Sequence, residues 1–278
     1  MEKILVTTDL SANSKAGLRF AMQLASQRGS ELVFYHAIEV MRPTSWNDKH
    51  YRSFADKKTS EFMDKLKKFV ASVQETAPVP LLSYHYTVEI GTEVSKMAIR
   101  YAKKAKAKFI CMSTHGAGKL EKLLGTHASA LITSSPIPVV VVPKNYRAKP
   151  LTSVFYASDF AKLSTELTTV RQFADTLRAS VDVFHYDYLM HVEENRKKLE
   201  KKAEKNAHTG VRFHFRRQEI DLSLSENIKA DIQKIKPSII VLFTKQNRNW
   251  FDRLFARSNS KNMVFHAGTP LLVMRKKQ

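Results

Sequence analysis

The chain has 278 residues, of which 43% are hydrophobic, so it is long enough for two domains with apolar cores. Its net charge of +20 is divided equally between residues 1–147 and 148–278, which excludes a basic tail or an acidic partner domain. The single cysteine, Cys111, excludes an internal disulfide framework and a Cys-cluster zinc site. No apolar run approaches the ~20 residues of a membrane span, so we expect a cytoplasmic protein.

Strands and helices are predicted to alternate through the first half of the chain. Runs of Val, Ile and Leu indicate strands at 4–8, 31–38, 81–90, 109–112 and 139–142. Apolar residues at helical spacing indicate helices at 11–28, before Gly29, at 93–105 and at 128–134. A further Lys-rich helix follows Asn47, with a predicted core face of Phe54, Phe62, Leu66, Phe69 and Val73. Near-continuous apolar strands separated by helices are typical of a parallel sheet covered on both faces.

The second half repeats the first. Ile4–Asp9 has a counterpart at Val154–Asp159, offset by 150, and Val33-Phe34 matches Val183-Phe184 at the same offset. Further matches pair residues 109–112 with 239–242 and 138–141 with 270–273, in the same order. The repeat predicts two tandem, doubly wound, five-stranded parallel-sheet α/β domains at 1–147 and 148–278. They are joined by a polar segment between Pro143 and Pro150.

Ligands of doubly wound sheets bind beyond the carboxyl ends of the strands, here around Asp9 and after Met112. The segment Ser113–Thr126 contains Gly116, Gly118 and Gly125, and glycines let a backbone approach a phosphate closely. The alternative is that these glycines only form tight turns in a surface loop. The segment is not a Walker A loop, since Leu120 stands where Ser or Thr is needed, and no dinucleotide fingerprint follows the first strand.

The first copy resembles the universal stress protein family from end to end. The resemblance rests on four features: Ile4–Ser11, His36 at the end of the second strand, Ser113–Gly116, and Gly125-Thr126 leading into residues 136–142. It implies a Rossmann-like fold of the adenine nucleotide alpha hydrolase-like kind. In the ATP-binding branch of that family, a loop of the form Gly-x2-Gly-x9-Gly-(Ser/Thr) holds the phosphates and the ribose.

Carried over by position, the resemblance implies an adenine-nucleotide site built from Asp9, Ala37, Met112, Ser113, His115, Gly116, Gly125 and Thr126. Asp9 and Ala37 would lie near the adenine, and the glycines and Thr126 would hold the phosphates. The expected ligand is ATP, accompanied at most by Mg²⁺. The sequence departs from the family pattern twice, because Ser113 replaces the first glycine and eight residues instead of nine separate Gly116 from Gly125.

The second copy lacks this loop. Arg257-Ser258 replaces Gly125-Thr126, and no glycine follows Thr244 until Gly268. We therefore expect no nucleotide of the family's kind there, and interpret this copy as a degenerate structural or dimerising domain. The alternative is that Lys245, Arg248 and Arg257 bind another anion by side-chain charge.

The resemblance implies a stress-response regulatory or protective protein whose nucleotide occupancy alters a dimer or partner surface without fast turnover. One alternative is an enzyme that slowly hydrolyses ATP or phosphorylates itself in the same crevice. No catalytic residue is identified, and only Asp9 and Glu121 supply carboxylates near the expected phosphates. Another is a basic protein that binds nucleic acid or anionic surfaces. Interleaved glutamates in Arg196–Lys205 argue instead for a solvated helix face.

Two further expectations concern metals and assembly. The histidines show no metal-ligand spacing, so no metal site of the protein's own is expected. The end strands Val139–Val142 and Leu271–Met274 could pair with each other in a pseudo-dimer of the two domains, or between chains in a homodimer.

Overall fold

The computed structural model describes residues 1–77, 79, 83–114, 126–188, 193–217, 223–244 and 268–276. The chain divides into two units, Met1–Ala148 (unit 1) and Lys149–Gln278 (unit 2). The division falls one residue after the expected boundary at Arg147.

Unit 1 contains a five-stranded parallel sheet with the strand order β3-β2-β1-β4-β5. This confirms the predicted doubly wound arrangement, in which the order reverses between β1 and β4. The elements are β1 (Lys3–Thr7), α1 (Lys15–Arg28), β2 (Glu31–Glu39), α2 (Asp48–Gln74), β3 (Tyr84–Gly91), α3 (Val94–Lys104), β4 (Ala107–Ser113), α4 (Thr126–Ser134) and β5 (Val139–Val142).

The beginning of the first helix differs from the prediction. The helix was expected from residue 11, with Ser11 or Asn13 as its N-cap. Ser11 instead caps a short 3-10 turn, Ala12–Ser14, and α1 begins at Lys15. The reason is local, because the Asp9 carboxylate accepts hydrogen bonds from both the backbone and the hydroxyl of Ser11 and holds that residue in an extended conformation. The helix ends as expected, with Gly29 in the left-handed region at φ 61°.

The core face of α2 was predicted only in part. Leu66 and Val73 are buried as expected, but the third buried residue of the helix is Val70. The predicted aromatic residues are half-buried and pack at the margins of the helix. Phe54 meets the Trp46 ring edge-on, and Phe62 stacks on His36 with ring centroids 5.1 Å apart.

Unit 2 has the same architecture as unit 1. Its five parallel strands follow the order β10-β9-β6-β7-β8, so the order reverses between β6 and β9. The described elements are β6 (Ser153–Ala157), α5 (Leu163–Asp175), β7 (Ser180–Asp187), α6 (Glu193–Glu204), β8 (Val211–Arg217), α7 (Leu224–Ile235), β9 (Ile239–Thr244) and β10 (Leu271–Arg275).

Backbone geometry supports the duplication independently of residue type. Three left-handed positions recur at equivalent points, after the first strand, after the first helix and before the fourth strand: Leu10 and Phe160, Gly29 and Arg178, Lys106 and Lys236.

Strand register also corrects the sequence alignment, because Leu5 lies opposite Val33 in unit 1 and Phe155 opposite Asp182 in unit 2. The connection to the second strand is one residue shorter in unit 2, so the offset there is 149 rather than 150.

A buried carboxylate therefore replaces a core valine in unit 2. Asp182 on β7 accepts two hydrogen bonds from Arg212, at 2.9 and 2.8 Å, and one from Nε2 of His214 at 2.7 Å. Burial tends to raise the pKa of Asp182, but the hydrogen bonds from Arg212 and His214 outweigh it and hold the pKa below its usual range. The cluster ties the end strand β8 to β7.

We predict that Asp182→Asn destabilises the protein by about 1–3 kcal/mol at neutral pH, because His214 and Arg212 lose their ionised acceptor. Since the folded-state pKa is lowered, the contribution of Asp182 is present above the usual aspartate pKa of about 4 and is lost as the pH falls below it. Guanidinium unfolding of the full chain at pH 7 and pH 3 measures both values. An equal loss of stability at the two pH values would contradict the ionic account.

Candidate functional site

The candidate site lies where the strand order of unit 1 reverses. Val6 of β1 is paired with Cys111 of β4, so Thr8 and Asp9 follow one strand beside Ser113 and Thr114 at the end of the other. These four residues share the carboxyl edge of the sheet, as the sequence predicted.

The turn after β1 is fixed by its own side chains. Oγ1 of Thr8 accepts a hydrogen bond from the backbone N–H of Leu10 at 3.0 Å and pairs with the Ser14 hydroxyl at 2.7 Å. Oδ1 of Asp9 accepts the N–H of Ser11 at 3.0 Å and its hydroxyl at 2.7 Å. Leu10 takes a left-handed conformation, with φ 63°. The exposed carboxylate of Asp9 is thereby held in place before any ligand arrives.

Ser113 connects the end of β4 to the start of α1. Its buried hydroxyl accepts the backbone N–H of Gly17 at 2.8 Å and donates to the carbonyl of Ser14 at 3.2 Å. The first N–H groups of a helix lack partners within the helix, so Ser113 satisfies one of them from another element. The hydroxyl of Ser113, which replaces the first glycine of the family pattern, is therefore engaged by α1.

Gly17 is a residue that the sequence reasoning missed. A Cβ at this position would lie 3.0 Å from the backbone nitrogen of Ser113 and 3.1 Å from the carbonyl carbon of Met112. These distances are tighter than ordinary van der Waals contact, so a side chain here would require α1 or β4 to shift by a few tenths of an ångström. The signal in the sequence is a lone glycine within the first two turns of a helix, where it lowers helix propensity.

Near its end, β2 contacts the turn after β1. Nδ1 of His36 lies 2.8 Å from the carbonyl oxygen of Thr8, which can only accept, so this nitrogen carries a proton. Burial lowers the pKa of His36, although the Thr8 carbonyl and the charge of Asp9 act in the opposite direction. The imidazole is therefore neutral at pH 7 and ties β2 to β1. Ala37, the predicted adenine contact, follows it and is half-buried.

Of the remaining predicted site residues, the structure describes some and leaves others out. Met112 is buried within β4. The backbone of Thr126 begins α4. His115, Gly116 and Gly125 lie outside the described residues, and so do Glu121 and the predicted anion ligands of the second copy, Lys245, Arg248 and Arg257. The phosphate loop stays a prediction from the sequence.

Unit 2 repeats the turn but has a larger side chain at the end of its fourth strand. Oδ1 of Asp159 accepts the N–H of Ala161 at 3.0 Å, and Nδ1 of His185 lies 3.0 Å from the carbonyl oxygen of Ser158. Phe243 stands at the position of Ser113, and its ring packs edge-on against Tyr156. The serine that contacts α1 in unit 1 thus has an aromatic residue as its counterpart.

Other charged and reactive groups were also placed. In α6, Lys197, Lys198 and Arg196 pair with glutamates four residues away, as a solvated helix face requires. Burial raises the pKa of the Cys111 thiol far above its usual range. Within the described ranges, no three His, Cys, Asp or Glu side chains come together as metal ligands, and no helix combines the length and apolar character of a bilayer span.

Comparison with known proteins decides the family. The sequence profile of the universal stress protein family matches residues 1–143, half of the chain. The chain belongs to the universal stress protein family.

Relatives of this universal stress protein match one unit or the whole chain. Universal stress protein A homolog 1 of Coxiella burnetii is 26% identical over 139 residues, which are 50% of this chain and 94% of that protein. A universal stress protein from Archaeoglobus fulgidus has a TM-score of 0.70 at 16% identity, covering 99% of this chain and 98% of its own. One from Pseudomonas aeruginosa gives 0.60 at 16% identity, covering 99% and 93%. Likeness at this identity establishes the shared fold.

We predict that Ser113→Ala costs about 1–2 kcal/mol of stability, because the buried N–H of Gly17 loses its acceptor. The matched control is Ser53→Ala on the exposed face of α2, which should change stability by less than about 0.5 kcal/mol. Denaturant unfolding of the full chain measures both. Equal stabilities of the two variants would show that Ser113 does not support α1.

Proposed function

We propose that unit 1 binds ATP or another adenine nucleotide at the carboxyl edge of its sheet. We also propose that the protein is a cytoplasmic stress-response regulator in which nucleotide occupancy alters a dimer or partner surface. The observation that carries the first proposal is Asp9, an exposed carboxylate fixed by Ser11 directly beside the point where strand order reverses. Membership of the universal stress protein family supports the second.

The proposed roles follow from the chemistry of each group. The Asp9 carboxylate is an acceptor for a ribose hydroxyl or the adenine amino group. Half-buried Ala37 at the end of β2 offers a small apolar surface to the base. The backbone N–H groups at the start of α4, which begins at Thr126, favour an anion, and the helix dipole adds to this preference.

The same geometry favours binding over fast turnover. The buried imidazole of His36 is neutral and engaged by the carbonyl of Thr8. Asp9 is engaged by two donors of Ser11, an arrangement that orients an acceptor and does not prepare a general base. Mg²⁺, if it accompanies the nucleotide, would be held mainly by the phosphates.

We predict that Gly116→Val weakens ATP binding to the full chain at least about tenfold, because a branched side chain keeps the backbone away from the phosphates. Thr126→Ala should weaken it less, by the loss of one hydroxyl. Ser258→Ala, at the corresponding point of the second copy, is the matched control and should leave the affinity unchanged. Isothermal titration measures all three, and no binding by the parent chain at millimolar ATP would refute the proposal.

The enzyme alternative has a separate test. We predict that release of phosphate from labelled ATP by the parent chain is no faster than that by Thr126→Ala at saturating nucleotide. A rate far above the variant's would instead establish turnover in the same crevice. Binding to DNA with a steep salt dependence would favour the nucleic-acid alternative, against which the internally paired charges of α6 argue.

A further inference from the structure

The strand ends of unit 2 hold a buried ammonium group. Asp159 follows β6 as Asp9 follows β1, and each carboxylate accepts the backbone N–H two residues further on. The next residue is left-handed in both units, Leu10 in one and Phe160 in the other. Asp159 is therefore the structural counterpart of Asp9, and it lies beside the reversal of strand order in unit 2.

Lys276 reaches this carboxylate from the end of β10. Its backbone N–H donates to the carbonyl of Thr244, the last residue of β9, at 2.9 Å. Its side chain is only 8% exposed, and Nζ donates to Oδ2 of Asp159 at 2.5 Å. The lysine thus crosses the end of β9 to reach the end of β6, which is the reversal point of the sheet.

A second, deeper carboxylate completes the surroundings of the ammonium. Oε1 of Glu166 on α5 lies 3.3 Å from Nζ of Lys276, and the Glu166 side chain is 4% exposed. The other oxygen of Glu166 accepts the hydroxyl of Tyr156. Oε1 makes no hydrogen bond to any described residue, so the charge of Lys276 compensates it. A buried carboxylate and a buried ammonium are each costly alone, and each stabilises the other here.

The corresponding lysine of unit 1 behaves differently. Met274 pairs with Phe243 in β10, as Val142 pairs with Ser113 in β5, so Lys276 and Lys144 occupy the same position in the two units. Lys144 is exposed. The position in the strand therefore does not by itself bury a lysine side chain. Lys276 is buried in unit 2 because its ammonium group contacts the buried carboxylate of Glu166.

We propose that unit 2 contains an ammonium-binding site formed by the carboxylates of Asp159 and Glu166, the latter held by the Tyr156 hydroxyl, and occupied in cis by Lys276. The site takes a cation where unit 1, by the function proposed above, takes an anionic nucleotide. The lysine attaches the end of β10 to the end of β6, through Asp159, and to α5, through Glu166.

Chemical rescue tests the site in the full chain. Lys276→Ala removes the ammonium and should speed amide exchange in residues 268–276 at least about tenfold and lower the melting temperature by several degrees. Lys144→Ala is the matched control and should change neither. Millimolar n-propylammonium, the fragment that the substitution deletes, should restore slow exchange, whereas 1-propanol should not. No difference between the two variants, or equal rescue by propanol, would overturn the proposal.

A second set of variants keeps the test decisive if Lys276→Ala folds poorly. Lys276→Met alone leaves the buried Glu166 without its cation, beside Asp159 and the Tyr156 hydroxyl, so it should be less stable than the parent chain at pH 7. Adding Glu166→Gln should restore stability at pH 7. A double variant no more stable than Lys276→Met would refute the charge pairing. Amide exchange and stability are both measured without nucleotide, so their outcome is independent of the proposal for unit 1. Binding of a second equivalent of ATP by Lys276→Ala would contradict the preference of the unit 2 site for a cation.

Discussion

The turn after the first strand of each unit is the constraint on which the rest depends. In unit 1 a left-handed Leu10 and hydrogen bonds accepted by the side chains of Thr8 and Asp9 form this turn. This sets where α1 begins, and Ser113 then contacts that beginning from β4. The hydrogen bonds of the turn join residues close together in the sequence. They hold the carboxylate of Asp9 at the carboxyl edge of the sheet, beside the reversal of strand order.

Duplication preserved this turn and changed what surrounds it. Unit 2 keeps the left-handed residue, the aspartate and the histidine that contacts the preceding strand end. At the position of Ser113 it has Phe243, and Lys276 contributes a cation that neutralises Asp159. Both aspartates are exposed, but in unit 2 the buried ammonium group of Lys276 contacts the carboxylate. This difference supports the proposal that unit 1 alone binds a nucleotide.

The sequence predicted the sheet and its polarity because apolar strands and helical spacing are local signals. The strand Val139–Val142 was predicted with its observed bounds. Contacts between distant segments carried no such signal: Gly17 meets Ser113 across 96 residues, and Lys276 meets Asp159 across 117. The one-residue shift before β7 was hidden because Val183-Phe184 matches Val33-Phe34 by residue type, and only the strand register shows that Asp182 replaces Val33.

The central claim is that the two units have the same fold but only unit 1 receives a nucleotide. Hydrogen exchange of the full chain with and without millimolar ATP tests it most directly, because it reports on both units in one sample. The account predicts slower exchange in residues 8–17 and 113–134 and no change in residues 158–167 and 239–244. Equal protection of both units, or no protection in either, would contradict it.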